Sequence, residues 1–396
     1  MSDHIFNVTL KCSTTQARLG ELKLLHGTVQ TPIFLPVGTQ ATVRSLTPDD
    51  LEQMEIKMIL CNAYHLFLRP GVDIIQKAGG LHKFMQWDRP ILTDSGGYQI
   101  FSLSSFRNIS DDGVSFKSHI DGNEHHITPE NAVYIQEKLG ADVIMVLDVC
   151  PESTAKKEHL LSAMEYTARW AERCLKAKKD TGQLLFGIIQ GGTYPELRKQ
   201  SAEQITSLDF PGFAIGGLSL GESKADMWAT IDCTVQYMPS IKPRYLMGVG
   251  SPEDIIEGIA RGIDIFDCAL PTRVARNGAL FTRTGRKNLK RSYYKDKITP
   301  VEEGCHCYTC RNFSAAYLHH LFKCEELLAY RLATIHNLYF MNKLVIDIRE
   351  AISKGHYAEF KSEFLAGYQT TDEERRINQK LRGLEIKKDR NTTDFQ

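Results

Sequence analysis

Three cysteines and a distant histidine have the spacing of a metal site. Cys305, Cys307 and Cys310 lie within six residues, and His336 follows on a stretch, 325–350, that reads as a helix. Three thiolates and one imidazole complete a tetrahedral zinc site and leave no position for a substrate water. The pattern therefore predicts one structural Zn²⁺ per chain.

Other histidines compete for the fourth position of this site. His306 is the immediate neighbour of Cys305, and adjacent side chains rarely face the same ion, so His336 is preferred. His319 and His320 are weaker candidates. A chance clustering of three cysteines is the alternative to a metal site.

Three aspartates follow short apolar runs of the length of buried strands: Asp94, Asp148 and Asp267. A carboxylate in such a position must be hydrogen-bonded or have a chemical task. Cleavage of a glycosidic bond requires two carboxylates, one to attack the anomeric carbon and one to exchange a proton with the leaving group. Taken singly, each aspartate is better explained as a loop cap, and the spacing does not decide which pair lies close in space.

The apolar runs alternate with amphipathic helical stretches over the first 290 residues, which is typical of a parallel α/β fold. Eight runs have the character of buried strands: 33–37, 58–61, 91–93, 143–147, 184–189, 213–215, 244–247 and 263–266. The longer stretches between them that predict helices include 155–178, 194–208 and 224–238. Polar or glycine residues follow all eight runs, which predicts a (β/α)₈ TIM barrel, because such barrels build their active sites from the loops after the strands. A doubly wound open sheet is the alternative.

Two local features depart from the repeat. The interval between Asp94 and Asp148 is too long for one unit, and 114–116 and 125–127 within it predict an inserted hairpin. Residues 273–297 carry nine Lys or Arg and one acidic residue, in a chain with 48 basic and 48 acidic residues. A solvated charged face usually mixes both signs, so this excess favours contact with a nucleic-acid backbone.

Composition excludes several classes of protein. The 396 residues are 42% hydrophobic and 24% charged, which excludes collagen-like, fully disordered and strongly basic proteins. No apolar stretch reaches the roughly 18 residues of a membrane span, and the start lacks the features of a signal peptide. Ten cysteines without an export signal favour a reducing compartment, so we expect a cytoplasmic protein without membrane contacts.

The chain is expected to have four segments. Residues 1–299 form the barrel that carries the active site, and 300–345 form the C-terminal zinc-binding subdomain. Residues 346–370 form a helix that packs back on the barrel. Residues 371–396 are polar with few apolar anchors, so a frayed tail is expected there.

Several motifs resemble those of the bacterial tRNA-guanine transglycosylases. The resemblance covers roughly residues 5–368 in order, and several of the motifs are specific to that family. Besides the cysteine cluster, they are Asn62-Ala63-Tyr64-His65-Leu66, Arg69-Pro70-Gly71, Asp94-Ser95-Gly96-Gly97-Tyr98-Gln99, Gly187-Ile188-Ile189-Gln190-Gly191-Gly192, Gly216-Gly217-Leu218-Ser219-Leu220-Gly221-Glu222 and Phe266-Asp267-Cys268-Ala269-Leu270-Pro271-Thr272-Arg273.

This resemblance implies a pentosyltransferase of queuosine biosynthesis. Such enzymes exchange the wobble guanine of tRNAs with a G-U-N anticodon (those for aspartate, asparagine, histidine and tyrosine) for a 7-deazaguanine base. By the resemblance, Asp267 attacks the ribose carbon and forms a covalent tRNA intermediate, while Asp94 is the general acid/base. Zinc is the one metal implied, and the bacterial members are typically homodimers.

The resemblance also assigns binding residues. Asp148, Gln190 and the backbone around Gly217 and Leu218 would recognise the edge of the base, and Tyr98 would stack on it. The full set expected to bind the base is Ser95, Gly96, Gly97, Tyr98, Asp148, Cys150, Gln190, Gly217, Leu218 and Met247. The residues expected to contact RNA of the anticodon stem-loop are Gly248, Val249, Gly250, Ser251, Pro252, Glu253, Asp254, Thr272, Arg273, Val274, Ala275 and Arg276.

Two positions favour the bacterial branch and its incoming base. Eukaryotic catalytic subunits have a glycine where Leu220 stands and a valine-like residue where Cys150 stands, and archaeal relatives carry further RNA-binding domains after the zinc site. A bulky Leu220 would crowd the ring of queuine, so 7-aminomethyl-7-deazaguanine (preQ1) is the expected base.

Two other functions compete with this interpretation. A barrel glycoside hydrolase would explain Asp94 and Asp267, but neither the basic segment nor the cysteine cluster. A non-enzymatic RNA-binding scaffold would explain those two features and leave the carboxylates without a reason.

Overall fold

The architecture is a closed barrel of eight parallel strands with surrounding helices, in a computed structural model that describes residues 5–104, 107–151 and 155–371. Each strand lies beside its sequence neighbours, and the last strand pairs with the first. The strands are β1 (Ile33–Gly38), β2 (Ile59–Asn62), β3 (Ile91–Asp94), β4 (Val143–Met145), β5 (Leu184–Ile189), β6 (Phe213–Ile215), β7 (Arg244–Leu246) and β8 (Ile265–Cys268). The predicted (β/α)₈ fold is confirmed, and the open sheet is excluded.

Burial on both faces explains why these strands appear in the sequence as short continuous apolar runs. Every residue of β1, β2 and β3 is buried, including Asp94 at the end of β3. Polar side chains at these ends must find partners inside the protein.

The helices start and end at the expected signals. Thr128 accepts a hydrogen bond from the N–H of Asn131 through its hydroxyl, and Gly140 ends that helix in a left-handed conformation. The α-helices are Pro48–Gln53, Ala63–Leu68, Val72–Lys77, Leu81–Met85, Gly97–Leu103, Pro129–Leu139, Lys157–Ala177, Pro195–Thr206, Lys224–Val235, Pro252–Ala260, Leu270–Arg276, Tyr308–Asn312, Ala315–Lys323, Leu327–Ser353 and Tyr357–Gly367, and Ser292–Tyr294 is a 3₁₀-helix. No helix of the described residues has the length and apolar character to cross a bilayer.

Three small antiparallel sheets accompany the barrel. The insertion predicted as a hairpin is a three-stranded sheet of Arg107–Ile109, Val114–Lys117 and Glu124–Ile127. Two further sheets were not predicted: Phe6–Lys11, Arg18–Leu24 and Gly27–Thr31 near the N-terminus, and the hairpin Ala279–Thr282 with Gly285–Asn288 inside the basic segment.

Two barrel strands differ from the prediction by two residues at an end, and four others differ by one residue. Ile263 belongs to a helix end, because its N–H donates to the carbonyl of Gly258, and β8 therefore begins two residues later and contains Asp267. β4 ends at Met145 rather than at 147. Beyond it, the N–H groups of Leu147 and Val149 bond to side chains of the helix Lys157–Ala177 instead of a strand.

The fold divides into two compact units. One contains the chain up to Asn62, Ala78–Leu92 and Gly248–Thr370, and the other contains Ala63–Lys77 and Thr93–Met247. Asp267 and the cysteine cluster lie in the first unit, whereas Asp94 and Asp148 lie in the second.

The C-terminal part of the first unit is helical. The helix Leu327–Ser353 continues through residue 345, and Tyr357–Gly367 follows it. This last helix packs on Pro252–Ala260, since the hydroxyl of Tyr357 donates to the carbonyl of Ile256 at 2.7 Å. The four-segment division stays a prediction, and the expected tail lies, apart from Thr371, outside the described residues.

Candidate active site and metal cluster

Asp94 is held at the end of β3 by a backbone donor. Its side chain is buried, and Oδ1 accepts a hydrogen bond of 2.9 Å from the N–H of Ala63, the first residue of the helix Ala63–Leu68. This backbone donor fixes the position of one carboxylate oxygen of Asp94.

Asp148 joins the loops that follow three neighbouring strands. Its Oδ1 accepts from the hydroxyl of Ser95 at 3.1 Å, and its Oδ2 accepts from Nε2 of Gln190 at 2.7 Å. Ser95 follows β3, Asp148 follows β4, and Gln190 follows β5. The carboxylate therefore fixes the ends of all three strands with respect to each other.

Two glycines let the backbone come this close. A Cβ at Gly97 would lie 2.5 Å from the backbone oxygen of Asp148 and 2.6 Å from its Oδ1. A Cβ at Gly216 would lie 2.7 Å from Nε2 of Gln190. Gly97, which is predicted to bind a base, and Gly216 thus have a steric requirement of their own, because any side chain would displace Asp148 or Gln190.

Burial dominates the electrostatics of this region. It raises the pKa of Asp148, against the two hydrogen bonds from Gln190 and Ser95 that favour the charged form. Burial also raises the pKa of the Cys150 thiol to about 12, with a further contribution from the charge of Asp148. Cys150 is therefore a neutral thiol at physiological pH, suited to packing rather than to nucleophilic attack.

The loop after β6 is stabilised by a carboxylate that the sequence analysis did not assign. Glu222 accepts hydrogen bonds from the N–H groups of Ser219, Leu220 and Gly221, the last two at 2.9 and 3.1 Å. Leu218 in the same loop is buried. A glutamate that immediately follows a glycine in a polar loop has no pattern that would have indicated this role.

The remaining residues expected to bind the base differ in exposure. Tyr98 lies on the helix Gly97–Leu103, and its side chain is 47% exposed, as a stacking surface requires. Met247 follows β7 and is half-buried, with its N–H bonded to the carbonyl of Ile215 at 3.2 Å.

The other unit contains Asp267, the predicted nucleophile. Its buried side chain accepts a hydrogen bond of 2.8 Å from the N–H of Gly248 through Oδ1. Gly250 packs directly on the next residue, since a Cβ there would lie 2.2 Å from Cβ of Cys268. The loop Gly248–Gly250 and strand β8 are therefore in close contact. The residue types in each segment are limited by the space that the other leaves.

The two segments expected to contact RNA are only partly accessible. In the first, Gly248 is exposed, whereas Glu253 and Asp254 are buried at the start of the helix Pro252–Ala260. In the second, Arg273 is exposed and Arg276 is half-buried. Val249, Gly250, Pro252, Thr272, Val274 and Ala275 are buried and Ser251 is half-buried.

Three arginines form a cationic surface near this second segment. Burial lowers the pKa of Arg276, and the positive charges of Arg44 and Arg273 lower it further. Guanidinium groups that repel one another in this way favour an anion between them. Arg44 lies outside the basic segment 273–297, so the charge count along the chain did not indicate it.

The cysteine cluster has the geometry of a metal site. Sγ of Cys305, Cys307 and Cys310 lie 3.9, 3.5 and 3.3 Å from Nδ1 of His336. Bonds of about 2.3 Å to sulfur and about 2.0 Å to nitrogen at tetrahedral angles predict edges of about 3.5 Å between ligand atoms. The four side chains could therefore hold a metal ion.

A hydrogen bond selects the ligand nitrogen of His336. Its Nε2 lies 2.6 Å from the carbonyl oxygen of Phe281, which can only accept, so Nε2 carries the proton and Nδ1 faces the sulfurs. The thiols of Cys307 and Cys310 and the nearby His336 lower the pKa of Cys305, which favours the thiolate that a metal requires.

The competing histidines lie elsewhere. His306 is exposed and is not part of the cluster. Nδ1 of His319 lies 2.7 Å from the carbonyl oxygen of Leu289, and His320 contacts the exposed Cys324. The structure therefore groups His336, the preferred candidate, with the three cysteines.

Comparison with known proteins identifies the family. The family described as queuine tRNA-ribosyltransferase matches residues 12–370, which is most of the chain. The chain belongs to this family. A queuine tRNA-ribosyltransferase of Dehalococcoides mccartyi is 57% identical over 382 residues, which cover 96% of this chain and 97% of that protein. The protein of the same name from Caldanaerobacter subterraneus is 56% identical over 370 residues, or 93% of this chain and 99% of that protein.

These matches confirm the family and the class of enzyme predicted from the motifs. A ribosyltransferase is a pentosyltransferase, so the matches confirm the predicted class of enzyme. The competing glycoside hydrolase and the non-enzymatic scaffold are both excluded by the family.

The raised pKa of Asp148 has a measurable consequence for stability. A carboxyl group whose pKa is higher in the folded than in the unfolded state stabilises the fold at low pH and loses this contribution as the pH rises through the folded pKa. The ionised Asp148 thus opposes folding at neutral pH. We expect Asp148→Asn to raise the melting temperature at neutral pH, and this difference to shrink as the pH is lowered.

Asp73→Asn is the matched control for this measurement. Asp73 is exposed, and Lys138 lowers its pKa, so its removal should leave the melting temperature unchanged or slightly lower. A lower melting temperature for Asp148→Asn at neutral pH would show that the two hydrogen bonds to the carboxylate outweigh its burial.

Proposed function

We propose that the protein exchanges the wobble guanine of G-U-N anticodon tRNAs for preQ1, by double displacement through a covalent tRNA–aspartyl intermediate. The observation that carries the proposal is the pair of buried carboxylates, Asp94 and Asp267, each held at a strand end by a backbone N–H, in a chain of this family. The reaction would be a step of queuosine biosynthesis.

Asp267 would supply the nucleophile. Its carboxylate oxygen forms a bond to C1′ of the ribose while the bond from C1′ to N9 of guanine breaks, and the electron pair leaves with the base. The N–H of Gly248 orients the carboxylate through Oδ1. Attack of the incoming base on C1′ then breaks the ester bond and regenerates Asp267, so that configuration at C1′ is retained.

Asp94 would handle the proton. It donates a proton to the departing guanine and accepts one from the incoming base, so protons balance over the whole exchange. Its hydrogen bond from Ala63 keeps the carboxylate in place in both protonation states. No redox or nucleotide cofactor is required.

Recognition of the base would rest on the network around Asp148. A planar base needs donors and acceptors on one edge, and Asp148, Gln190 and the backbone of Gly217 and Leu218 offer both kinds. Tyr98 would stack on the face of the base. The low-polarity surroundings that raise the pKa of Asp148 would also strengthen each of these hydrogen bonds.

The anticodon stem-loop would be held by phosphate contacts. Arg273 and Arg276 follow the nucleophile by six and nine residues, and Arg44 adds a third positive charge. In the segment Gly248–Asp254, the exposed backbone of Gly248 is available, whereas the buried acids Glu253 and Asp254 would act by fixing the loop.

The proposal also includes a bound metal ion, a homodimeric assembly and a cytoplasmic location. One structural Zn²⁺ would be bound by Cys305, Cys307, Cys310 and His336, since three sulfurs and one imidazole at tetrahedral spacing suit zinc. The protein would act as a homodimer in the cytoplasm. Sedimentation at several protein concentrations tests the dimer.

The proposed nucleophile can be tested by substitution. Asp267→Asn should fold but form no covalent RNA adduct, because an amide oxygen is a poor nucleophile. Wild type incubated with tRNA and a trapping base should give a slow-migrating band on a denaturing gel and should incorporate labelled guanine into tRNA. The exposed Asp209→Asn is the control and should retain both signals. A band that persists in Asp267→Asn would move the nucleophile elsewhere, first to Asp94.

The proposed zinc site can be tested by metal analysis and by removal of one ligand. Elemental analysis should give one zinc per chain, and Cys307→Ala should reduce this to near zero and destabilise residues 300–345, which hydrogen exchange can follow. Structural zinc sites are worth roughly 10–16 kcal/mol of apparent binding energy in small peptides. Cys324→Ala removes an exposed cysteine outside the cluster and should keep the metal. Full activity and unchanged melting of a metal-free preparation would contradict a structural role.

The side chain at position 220 should determine the choice of incoming base. Leu220 is half-buried in the loop that Glu222 stabilises, where its side chain would leave room for an aminomethyl group but not for the ring of queuine. A clash in a packed site costs roughly 1–3 kcal/mol, or about ten- to a hundredfold in relative kcat/KM. Wild type should therefore prefer preQ1, and Leu220→Gly, alone or with Cys150→Val, should gain activity with queuine. Equal use of both bases by wild type in competition kinetics would rule out this loop as the determinant.

A further inference from the structure

Arg198 is a buried cation that none of the roles above explains. It lies on the helix Pro195–Thr206, its side chain is fully buried, and burial lowers its pKa to about 10. In the part of the chain that the structure describes, its hydrogen bonds go to backbone carbonyls and it forms no ion pair with a carboxylate. The negative charge of Glu222 offsets part of the cost of burying Arg198, but the two side chains form no ion pair. A buried cation without a directly paired carboxylate is costly, so its retention requires a reason.

The guanidinium of Arg198 donates hydrogen bonds to three backbone carbonyl groups at the ends of two neighbouring strands. Nε donates to Gly192 at 2.7 Å, Nη1 donates to Ile189 at 2.9 Å, and Nη2 donates to Gly216 at 2.8 Å. Ile189 ends β5 and Gly216 follows β6. The rigid fork of an arginine can reach three acceptors at once, which the single point charge of a lysine cannot do with the same geometry.

The anchored carbonyl of Gly216 determines where the next N–H points. In a planar trans peptide the C=O and N–H point in opposite directions, so the N–H of Gly217 points away from Arg198. The Gly217 N–H acts to lower the pKa of the Cys150 thiol, against the rise that burial causes, so it faces that thiol. Gly217 and Cys150 both belong to the set expected to bind the base, so Arg198 turns a backbone donor towards them.

The peptide between Ile189 and Gln190 is held at both ends. Its carbonyl accepts from Arg198, and its N–H donates to the hydroxyl of Ser201 at 3.0 Å, one turn further along the same helix. Both side chains are buried. The clamp fixes the backbone from which the side chain of Gln190 extends to Asp148.

We propose that Arg198 is a positioning residue for base recognition. Through three carbonyls it sets the direction of the Gly217 N–H and the place of the Gln190 side chain, without touching the base. The inference rests on the proposed function, because it assigns these two groups to the binding of a nucleobase. It predicts that replacing the guanidinium of Arg198 weakens binding of the base and leaves binding of tRNA unchanged.

Steady-state exchange kinetics with Arg198→Met and Arg198→Lys test the proposal. We expect the KM for guanine and for preQ1 to rise about tenfold or more in Arg198→Met, with the KM for tRNA within about twofold of wild type. Arg198→Lys keeps the charge but loses the fork, and it should lie between the two. A residue that only stabilised the fold would lower the amount of active enzyme, and hence the apparent kcat, and would leave both KM values unchanged.

Arg349→Met is the matched control. Arg349 is also a largely buried arginine that donates to a backbone carbonyl, that of Pro32 at 2.8 Å, and it lies in the other unit. It should lower the melting temperature without changing the KM for the base. Chemical rescue adds a second readout: millimolar guanidinium should lower the KM for the base in Arg198→Ala, and ammonium should not.

The outcomes separate this inference from the proposed function. Absence of guanine exchange by wild type would overturn the proposed function itself. Normal exchange by wild type together with unchanged KM values in the variants, or with equal increases in both KM values, would overturn the role of Arg198 alone. If Arg198→Met does not fold, Arg198→Lys decides by the same comparison.

Discussion

The candidate site depends on the two hydrogen bonds that the carboxylate of Asp148 accepts. It has no regular secondary structure of its own to hold it, because β4 ends three residues earlier, and it is bonded to Ser95 after β3 and to Gln190 after β5. Three loops thus share one buried acceptor pair. Burial disfavours the negative charge that makes the Asp148 carboxylate a good hydrogen-bond acceptor, so keeping this carboxylate buried costs some stability. Such a cost is common at sites whose side chains are held in position for a ligand.

The two carboxylates proposed for chemistry are held differently. Asp94 and Asp267 each accept a hydrogen bond from a backbone N–H, of Ala63 and Gly248, whereas Asp148 accepts from the side chains of Ser95 and Gln190. A backbone donor fixes the position of an oxygen while leaving the chemistry of the carboxyl group available.

The sequence was a good guide to the barrel and a poor one to what supports the site. Apolar runs predict strands because a barrel strand is buried on both faces. Polar residues at the strand ends indicate the loops that form the active site of such a barrel. Ile263 was misplaced because an apolar residue after a helix-ending glycine has the same character as a strand start. Arg198 was missed because its partners are carbonyl groups, which every residue has, so no residue type in the sequence marks them.

Hydrogen bonds connect the helix that carries His336 to the segment after Asp267. His336 is followed by Asn337, which is fully buried. Oδ1 of Asn337 accepts from the N–H of Phe281, and its Nδ2 donates to the carbonyls of Pro271 and Ala279 at 2.9 and 3.0 Å. Since Nε2 of His336 also bonds the carbonyl of Phe281, a metal that fixes the imidazole fixes the helix Leu270–Arg276 and the hairpin of the basic segment as well. A metal bound at this cluster would thereby order the helix that carries Arg273 and Arg276, the arginines proposed to hold the RNA.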